Sequence, residues 1–228
     1  NNGGTTLTLT ADTGRLNLSG GTIQGGTVTA VGGGGLSVVS GVLDGVTLDV
    51  DLLVNSGSVE ARNGLTLANG HRALLNQVDG RASSLTFTGD SQTLGGNGEV
   101  VFGGISYNNF LVSSLNAGQT LTVGAGITVH SGTGGQGGTI QANSAILNQG
   151  AIAADASGQL VVLTGNGLTN AGTLSAQGGG NLLLNGGYTT TRLGTLVNDG
   201  TGAIYLAGTL NNGGTTLTLT ADTGRLNL

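Results

Sequence analysis

Hydrophobic and polar residues alternate along most of this chain in short runs. In the segment 46–52 (VTLDVDL) the aliphatic residues fall on one side of an extended chain, and Asp49 and Asp51 fall on the other. The same period of two recurs in 6–10 and 121–129 and is typical of half-buried β-strands. Gly- and Asn-rich turns separate the runs, and no segment keeps the 3.6-residue period of a helix. The pattern predicts an all-β protein with essentially no helix.

The segment 1–18, NNGGTTLTLTADTGRLNL, returns letter for letter at 211–228. This identity indicates a long internal repeat, so we interpret 1–210 as one unit and 211–228 as the start of the next. Solenoid arrays bury part of their core between neighbouring units. We therefore expect a long tandem array in which identical repeats contact each other end to end.

Composition discriminates between the two architectures that use many short strands, an antiparallel sandwich or barrel and a parallel β-solenoid. The chain has 48 glycines and no proline, and aromatic residues make up only 3%. Interior strands of a solenoid donate hydrogen bonds to neighbouring coils, which excludes proline, and glycine serves the corners. A thin aliphatic core needs few aromatic rings. We predict a parallel β-solenoid with about ten coils per repeat, each of roughly 20–22 residues, and a rise of about 48 Å.

Asparagine–glycine phrases recur in the second half of the chain, as ILNQG at 146–150, LTNAG at 168–172, LVNDG at 196–200 and TLNNGG at 209–214. Stacked coils would place leucine on leucine and form asparagine ladders at the corners. The run LNQGAIAADASGQLVVLTGNGLTNAGTLSAQGGGNLLL resembles the repeats of filamentous-haemagglutinin-type bacterial exoproteins. The resemblance covers 143–228 and, through the repeat, 1–70. It implies a right-handed parallel β-helix in a secreted surface fibre, often an adhesin.

Charge and cysteine content exclude several classes of protein. The net charge is −5, and no basic stripe is present that would neutralise the phosphates of a nucleic acid. Cysteine is absent, which excludes a disulfide scaffold and cysteine-ligated metal. No apolar run reaches the roughly 20 residues of a membrane-spanning helix. We expect an extracellular location on a bacterial cell surface, with other fibres, host cells or glycan surfaces as further partners.

Residues 71–130 keep the β alternation but lose the asparagine–glycine cycle. All three phenylalanines and both histidines lie in this segment. One interpretation is a set of wider coils whose larger core is filled by phenylalanine. The alternative is a lateral protrusion that exposes Tyr107 and Phe110, whose rings would bind a glycan or a protein.

Candidate metal ligands are confined to carboxylates. Asp49 and Asp51 share the outward side of one predicted strand, Asp44 precedes them, and Glu60 is expected on the following coil. Oxygen ligands of this kind suit calcium, so Asp49 and Asp51 are the predicted ligands if an ion binds. No other cofactor is expected.

The alternative function is a carbohydrate-binding or carbohydrate-cleaving β-helix module. Such a module requires a groove that combines acidic and basic residues within the 71–130 region. The arginine nearest to Asp49 and Asp51 in the sequence is Arg62, which has no evident partner, and His71 and His130 stand alone. No nucleophile motif or metal-ligand spacing is present, so the sequence predicts no enzyme.

A third hypothesis rests on threonine pairs of the form T-x-T, found at 6–10, 27–29 and 120–122. Flat ranks of such pairs occur on ice-binding solenoids, but threonine is also favoured on any exposed strand. An ice-binding face would need many pairs in register on one face, whereas their spacing along the sequence is irregular. A structural repeat of an extracellular fibre or adhesin stalk is therefore the predicted function.

Overall fold

The structure, a computed structural model, describes residues 2–132, 136–220, 223, 226 and 227. Residue 1, the segment 133–135 and, in the second copy of the repeated segment, residues 221, 222, 224, 225 and 228 lie outside the described residues. The described chain is a parallel β-solenoid of about nine coils with almost no helix. The predicted fold class is confirmed.

In chain order the first strands are β1 (Thr6–Leu9), β2 (Arg15–Gln24), β3 (Thr27–Ala30), β4 (Gly35–Asp49), β5 (Leu52–Leu67), β6 (Arg72–Gln77), β7 (Ser83–Gly89), β8 (Gln92–Gly96), β9 (Gly98–Gly104), β10 (Asn109–Leu115), β11 (Thr120–Val123) and β12 (Ile127–His130). The remaining elements are β13 (Gly138–Ala142), β14 (Ala145–Asn148), β15 (Ala151–Ala154), β16 (Leu160–Gly165), β17 (Leu168–Asn170), β18 (Thr173–Ala176), β19 (Asn181–Asn185), β20 (Gly187–Thr189), α1 (Thr190–Leu193), β21 (Thr195–Asn198), β22 (Ala203–Leu206), β23 (Thr209–Asn211) and β24 (Leu226–Asn227).

Each turn of the chain crosses three faces, which we name A, B and C. Face A consists of β1, β3, the last parts of β4 and β5, then β8, β11, β14 and β17. Face B consists of the first parts of β2, β4 and β5, then β6, β9, β12, β15, β18 and β21. Face C consists of the last part of β2, the middle of β4 and β5, then β7, β10, β13, β16, β19, β22 and β24.

The alternation of the sequence decides which residues fill the interior. Val46, Leu48, Val50 and Leu52 are buried as predicted, and the aspartates between them face outward. Parallel register then stacks the inward residues of successive coils into continuous aliphatic columns. One column of face B contains Leu16, Leu36, Leu52, Ala73, Val100, Val129, Ile152, Leu174 and Leu196.

Coil length varies along the axis. Near one end of the chain a coil leads from Thr6 to Thr27, and near the other end a coil leads from Thr173 to Thr195. These two coils contain nearly the same number of residues. In the middle of the chain the step is longer, since Leu65 pairs with Leu94. These wider central coils are why the repeat contains about nine coils rather than the expected ten.

The wider coils are filled by phenylalanine, as the first interpretation of 71–130 required. Phe87 and Phe102 are completely buried. Phe87 lies in a column between Ala61 and Ser113, so two small side chains leave room for its ring.

The asparagine–glycine phrases lie at the ends of strands. Asn148 and Asn170 are register partners on face A and are both buried, so the predicted asparagine ladder forms over these two coils. The helix α1 then interrupts face A, and Asn198 of the third phrase falls at the end of β21 on face B. This shift of face explains the irregular spacing of the phrases.

Candidate functional site

Asp49 and Asp51 lie at the corner between faces A and B. Asp49 ends β4 on face A, and Asp51 immediately precedes β5 on face B. The buried Val50 separates them, which leaves both carboxylates on the outer surface. Their side chains are 33% and 52% exposed, so both are accessible to a solute.

His71, from the next coil, lies between the two carboxylates. Its Nδ1 atom is 3.0 Å from Oδ1 of Asp51, and its Nε2 atom is 3.5 Å from Oδ1 of Asp49. The amide of Asn69 donates to Asp49 Oδ1 at 2.8 Å, and the hydroxyl of Thr29, from the coil below, donates to Oδ2 at 3.3 Å. The corner therefore joins side chains of three successive coils.

Arg72 adds positive charge beside Asp51. Its backbone N–H donates to Asp51 Oδ1 at 3.1 Å, and its Nε atom lies 3.3 Å from Oδ2. Partial burial alone would raise the pKa of Asp51, but the hydrogen bonds from His71 and Arg72 and the nearby positive charge outweigh it. The pKa of Asp51 is consequently below its ordinary value, and the side chain is a carboxylate at neutral pH.

A shallow depression of about 130 Å³ adjoins this corner on face B, lined by Arg15, Asp51, Leu52, Leu53, Arg72 and Leu74. The guanidinium of Arg15 lies across Gly35, where a Cβ atom would come within 3.3 Å of it. Glycine at this position therefore lets an arginine of the first coil extend toward Asp51. The depression combines one carboxylate, two guanidinium groups and leucine side chains.

The expectation that His71 stands alone is wrong. It fails because His71 follows Asp51 by 20 positions, about one coil in this part of the chain, so stacking brings them together. Nearly the same offset brings Arg72 over Asp51. If the local coil length were known from the sequence, it would predict that His71 and Arg72 both lie beside Asp51.

Arg62 also has a partner, contrary to the expectation from sequence. Its guanidinium donates to both carboxylate oxygens of Glu60, at 2.8 and 2.9 Å. Asp44 accepts from Asn63 at 2.6 Å. These residues belong to face C and its edge with face A, so neither carboxylate joins Asp49 and Asp51.

The pair Asp49 and Asp51 fits calcium poorly. Calcium takes six to eight oxygen ligands, and here the carboxylate oxygens already accept hydrogen bonds from protein groups beside the cationic Arg72. Among the described residues, no group of three or more His, Cys, Asp or Glu side chains is placed to hold a metal ion.

His130 forms a second polar cluster, at the edge between faces B and C. Its Nδ1 atom lies 2.8 Å from Asp155 Oδ2, and its Nε2 atom lies 3.6 Å from Glu99 Oε2. Ser131 donates to Asp155 at 2.9 Å, not to His130, and accepts the N–H groups of Asp155 and Ala156. His130 is thus not isolated, but this arrangement holds a corner together and does not present an activated serine.

Tyr107 and Phe110 lie on another part of the surface. Tyr107 is 51% exposed in the turn between faces B and C, and its ring lies over Gly137. Phe110 is half-buried on the outer side of β10. The structure places both rings away from the corner that contains Asp51, so the aromatic and acidic candidates do not form one site.

The threonine ranks are registered over part of face A. Thr6, Thr27, Thr47 and Thr66 are successive register partners. The adjacent rank contains Thr8 and Thr29 and continues as Asp49. Thr122 pairs with Leu147 on the following coil, so the threonine surface does not extend along the whole face.

No protein-family model, curated protein or solved structure matches this chain. In the part of the chain that the structure describes, no helix is both long enough and apolar enough to cross a membrane.

Proposed function

We propose that this chain is a structural repeat of a long extracellular bacterial fibre or adhesin stalk. One observation carries the proposal: two residues of the second copy of the repeated segment add a strand to the same solenoid. Leu226 and Asn227 pair in parallel register with Ile204 and Tyr205 of the last coil. The identity of 1–18 and 211–228 therefore fits an array whose repeats share one hydrogen-bonded stack.

The geometry suits a stalk because the axis of the solenoid is also the direction of its hydrogen bonds. Each coil adds about 4.8 Å, so a little more than nine coils give a rise of about 45 Å per repeat. Strand edges at the ends of a stack pair readily with another chain, and a following repeat covers them. The stalk therefore lengthens by one repeat at a time, and each junction uses the same interface.

The extracellular and adhesive parts of the proposal rest on the resemblance of the repeats to haemagglutinin-type exoproteins. The net charge of −5 gives every repeat a charge of the same sign. Like charge on every repeat would keep neighbouring fibres apart in solution.

Electron microscopy of a chain carrying several copies of the 1–210 unit tests the proposal. The expected result is a thin rod whose length increases by about 45 Å for each added unit. Chains with two, four and six units provide the internal control, because the slope is independent of end effects. Compact particles whose dimensions do not grow linearly with repeat number would contradict the fibre.

The depression at the corner of faces A and B favours carbohydrate binding as a second candidate function. Two arginines beside a carboxylate and leucine side chains match the mixed polar and apolar surface of an acidic saccharide. Titration calorimetry with an anionic and a neutral oligosaccharide tests it. Arg72→Gln should abolish binding of the anionic sugar, whereas Arg81→Gln, at an exposed site elsewhere, should not. Equal affinities in both variants would remove this candidate.

A further inference from the structure

Leu16 and Leu226 are the same residue of the repeat, yet they lie on different faces of the solenoid. Leu16 begins the face B column, which passes through successive coils and reaches Leu196. Leu226 instead pairs with Ile204, which lies on face C above Leu182. The second copy of the repeat is therefore out of phase with the first.

The size of this phase difference follows from the coil lengths. The last coils lead from Leu174 to Leu196 and from Ile204 to Leu226, which are equal steps along the chain. At that step Thr218 would follow Leu196 on face B. Leu226 follows Thr218 by as many residues as Ile204 follows Leu196. The segment from Leu196 to Ile204 leads from face B to face C, so Leu226 falls on face C. One repeat thus comprises about nine coils and one additional face.

We infer that each repeat docks on the next one rotated by about one third of a turn, with face B of the following repeat continuing face C of the preceding one. This inference rests on the proposed tandem array and names its interface: the upper edge of β22 on face C receives the residues equivalent to Leu16 and Asn17 of the next unit. The partner is a second copy of this repeat.

The composition of the core favours the rotated junction over an in-phase junction, in which face B of one repeat would continue as face B of the next. An in-phase junction would pair Leu226 with Leu196 and would close a coil as wide as the one from Leu65 to Leu94. Coils of that width occur in the middle of the chain, where Phe87 and Phe102 fill the interior. Residues 197–225 contain no phenylalanine. The observed coil from Ile204 to Leu226 is as narrow as the preceding ones and needs no such filling.

The chemistry of the edges also permits the rotated junction. Each face presents parallel strands with aliphatic residues at the inward positions, and the register partners Leu226 and Ile204 are both aliphatic. One hydrogen bond that precedes this segment is present in both copies: Thr10 N–H donates to Thr13 at 2.7 Å, and Thr220 N–H donates to Thr223 at 2.6 Å. This local hydrogen bond is kept while the face changes.

Rotation determines how surface features are distributed along the fibre. The corner that contains Asp51 would reappear after about 45 Å, displaced by about 120° around the axis. It would return to the same side only after three repeats, about 135 Å. The fibre would then display each surface cluster in three directions around its axis rather than along one side.

Disulfide trapping tests the phase, and the absence of native cysteine gives a clean background. Tyr205→Cys/Asn227→Cys joins register partners of the rotated junction. Val197→Cys/Asn227→Cys joins the residues that an in-phase junction would pair, because Asn17 belongs to the column that ends at Val197. Adjacent strands lie about 4.8 Å apart, within the Cα–Cα range of a disulfide. Leu183→Cys/Tyr205→Cys, one coil below, is the matched positive control.

The three variants are oxidised in the chain 1–228 and in a chain of two complete repeats, and the crosslinked fraction is measured by mass spectrometry. The expected result is crosslinking of 205–227 to the extent of the control, with 197–227 at least tenfold lower. Preferential crosslinking of 197–227, or of neither pair while the control reacts, would overturn the rotation. Because rod length is measured separately by microscopy, an in-phase rod and a compact particle are distinguishable outcomes.

Discussion

The amide nitrogen of Asn148 lies 2.7 Å from the amide oxygen of Asn170, one coil above it inside the protein. Asn170 in turn donates to the carbonyl oxygens of Leu193 and Thr195 at 2.8 and 3.2 Å. Buried polar groups of this kind cost free energy unless they are paired. The two side chains therefore satisfy backbone groups at a corner where the β ladder is interrupted by α1.

Replacing Asn170 by alanine is expected to lower the free energy of unfolding by about 1–3 kcal/mol, because the carbonyl oxygens of Leu193 and Thr195 lose a donor. Urea unfolding followed by circular dichroism measures the change. Asn185→Ala, at an exposed position at the end of β19, serves as the control and should change stability by less than about 0.5 kcal/mol. Equal losses in the two variants would show that the asparagine pair has no special role.

Gly172→Ala is expected to destabilise the protein through a steric clash. A Cβ atom at this position would lie 2.0 Å from the carbonyl oxygen of Gly150 in the coil below, so the coils would have to separate. The expected loss is about 1–3 kcal/mol, as for overpacked sites. Gly158 provides the comparison: it has a φ of +73° but open space around it, so alanine there costs only backbone strain. A normal melting temperature for Gly172→Ala would contradict this close contact.

Phe87→Ala is expected to be the most destabilising of these substitutions. The ring is completely buried in a wide coil, and its removal leaves a cavity that costs about 3–5 kcal/mol. Phe110→Ala, on the outer side of β10, is the matched control and should cost much less. Similar midpoints in urea for both variants would mean that Phe87 does not fill the core.

The pair of His130 and Asp155 predicts a pH dependence of stability. Burial alone would lower the pKa of His130, but Asp155 and Glu99 outweigh it and raise the pKa above its ordinary 6.5. Burial would raise the pKa of Asp155, but His130, Gly132 N–H and Ser131 lower it below 3.8. The folded state therefore holds the proton on His130 more tightly than the unfolded state does, and holds the proton on Asp155 less tightly.

The stabilisation from His130 is complete below about pH 6.5 and is lost as the pH rises through the raised folded-state pKa. The stabilisation from Asp155 is present above about pH 3.8 and is lost as the pH falls through the lowered folded-state pKa. Urea unfolding at pH 5, 7 and 9 should show wild-type stability falling with pH and a flatter profile for His130→Gln. His71→Gln is the control that should retain the decline due to His130. An unchanged slope in His130→Gln would refute the assignment.

Much of the fold could be predicted from sequence because β-solenoids obey local rules. Alternation identified the inward residues of β4 correctly, and the lack of proline agreed with strands paired on both sides. The corner with Asp51 could be predicted only in part. The outward carboxylates follow from alternation, whereas His71 and Arg72 join them through a coil length that no local pattern specifies.

The repeated segment separates what sequence alone determined from what the tertiary structure decided. The Thr10–Thr13 turn and its copy at Thr220 and Thr223 have the same hydrogen bonds, because these bonds involve residues only three apart. Leu9, however, is 3% exposed in a strand paired with β3, whereas the identical Leu219 is 51% exposed and unpaired by any described strand. Turn geometry is a property of neighbouring residues. Strand formation and burial require a second coil in register, and that contact is supplied only by the folded stack.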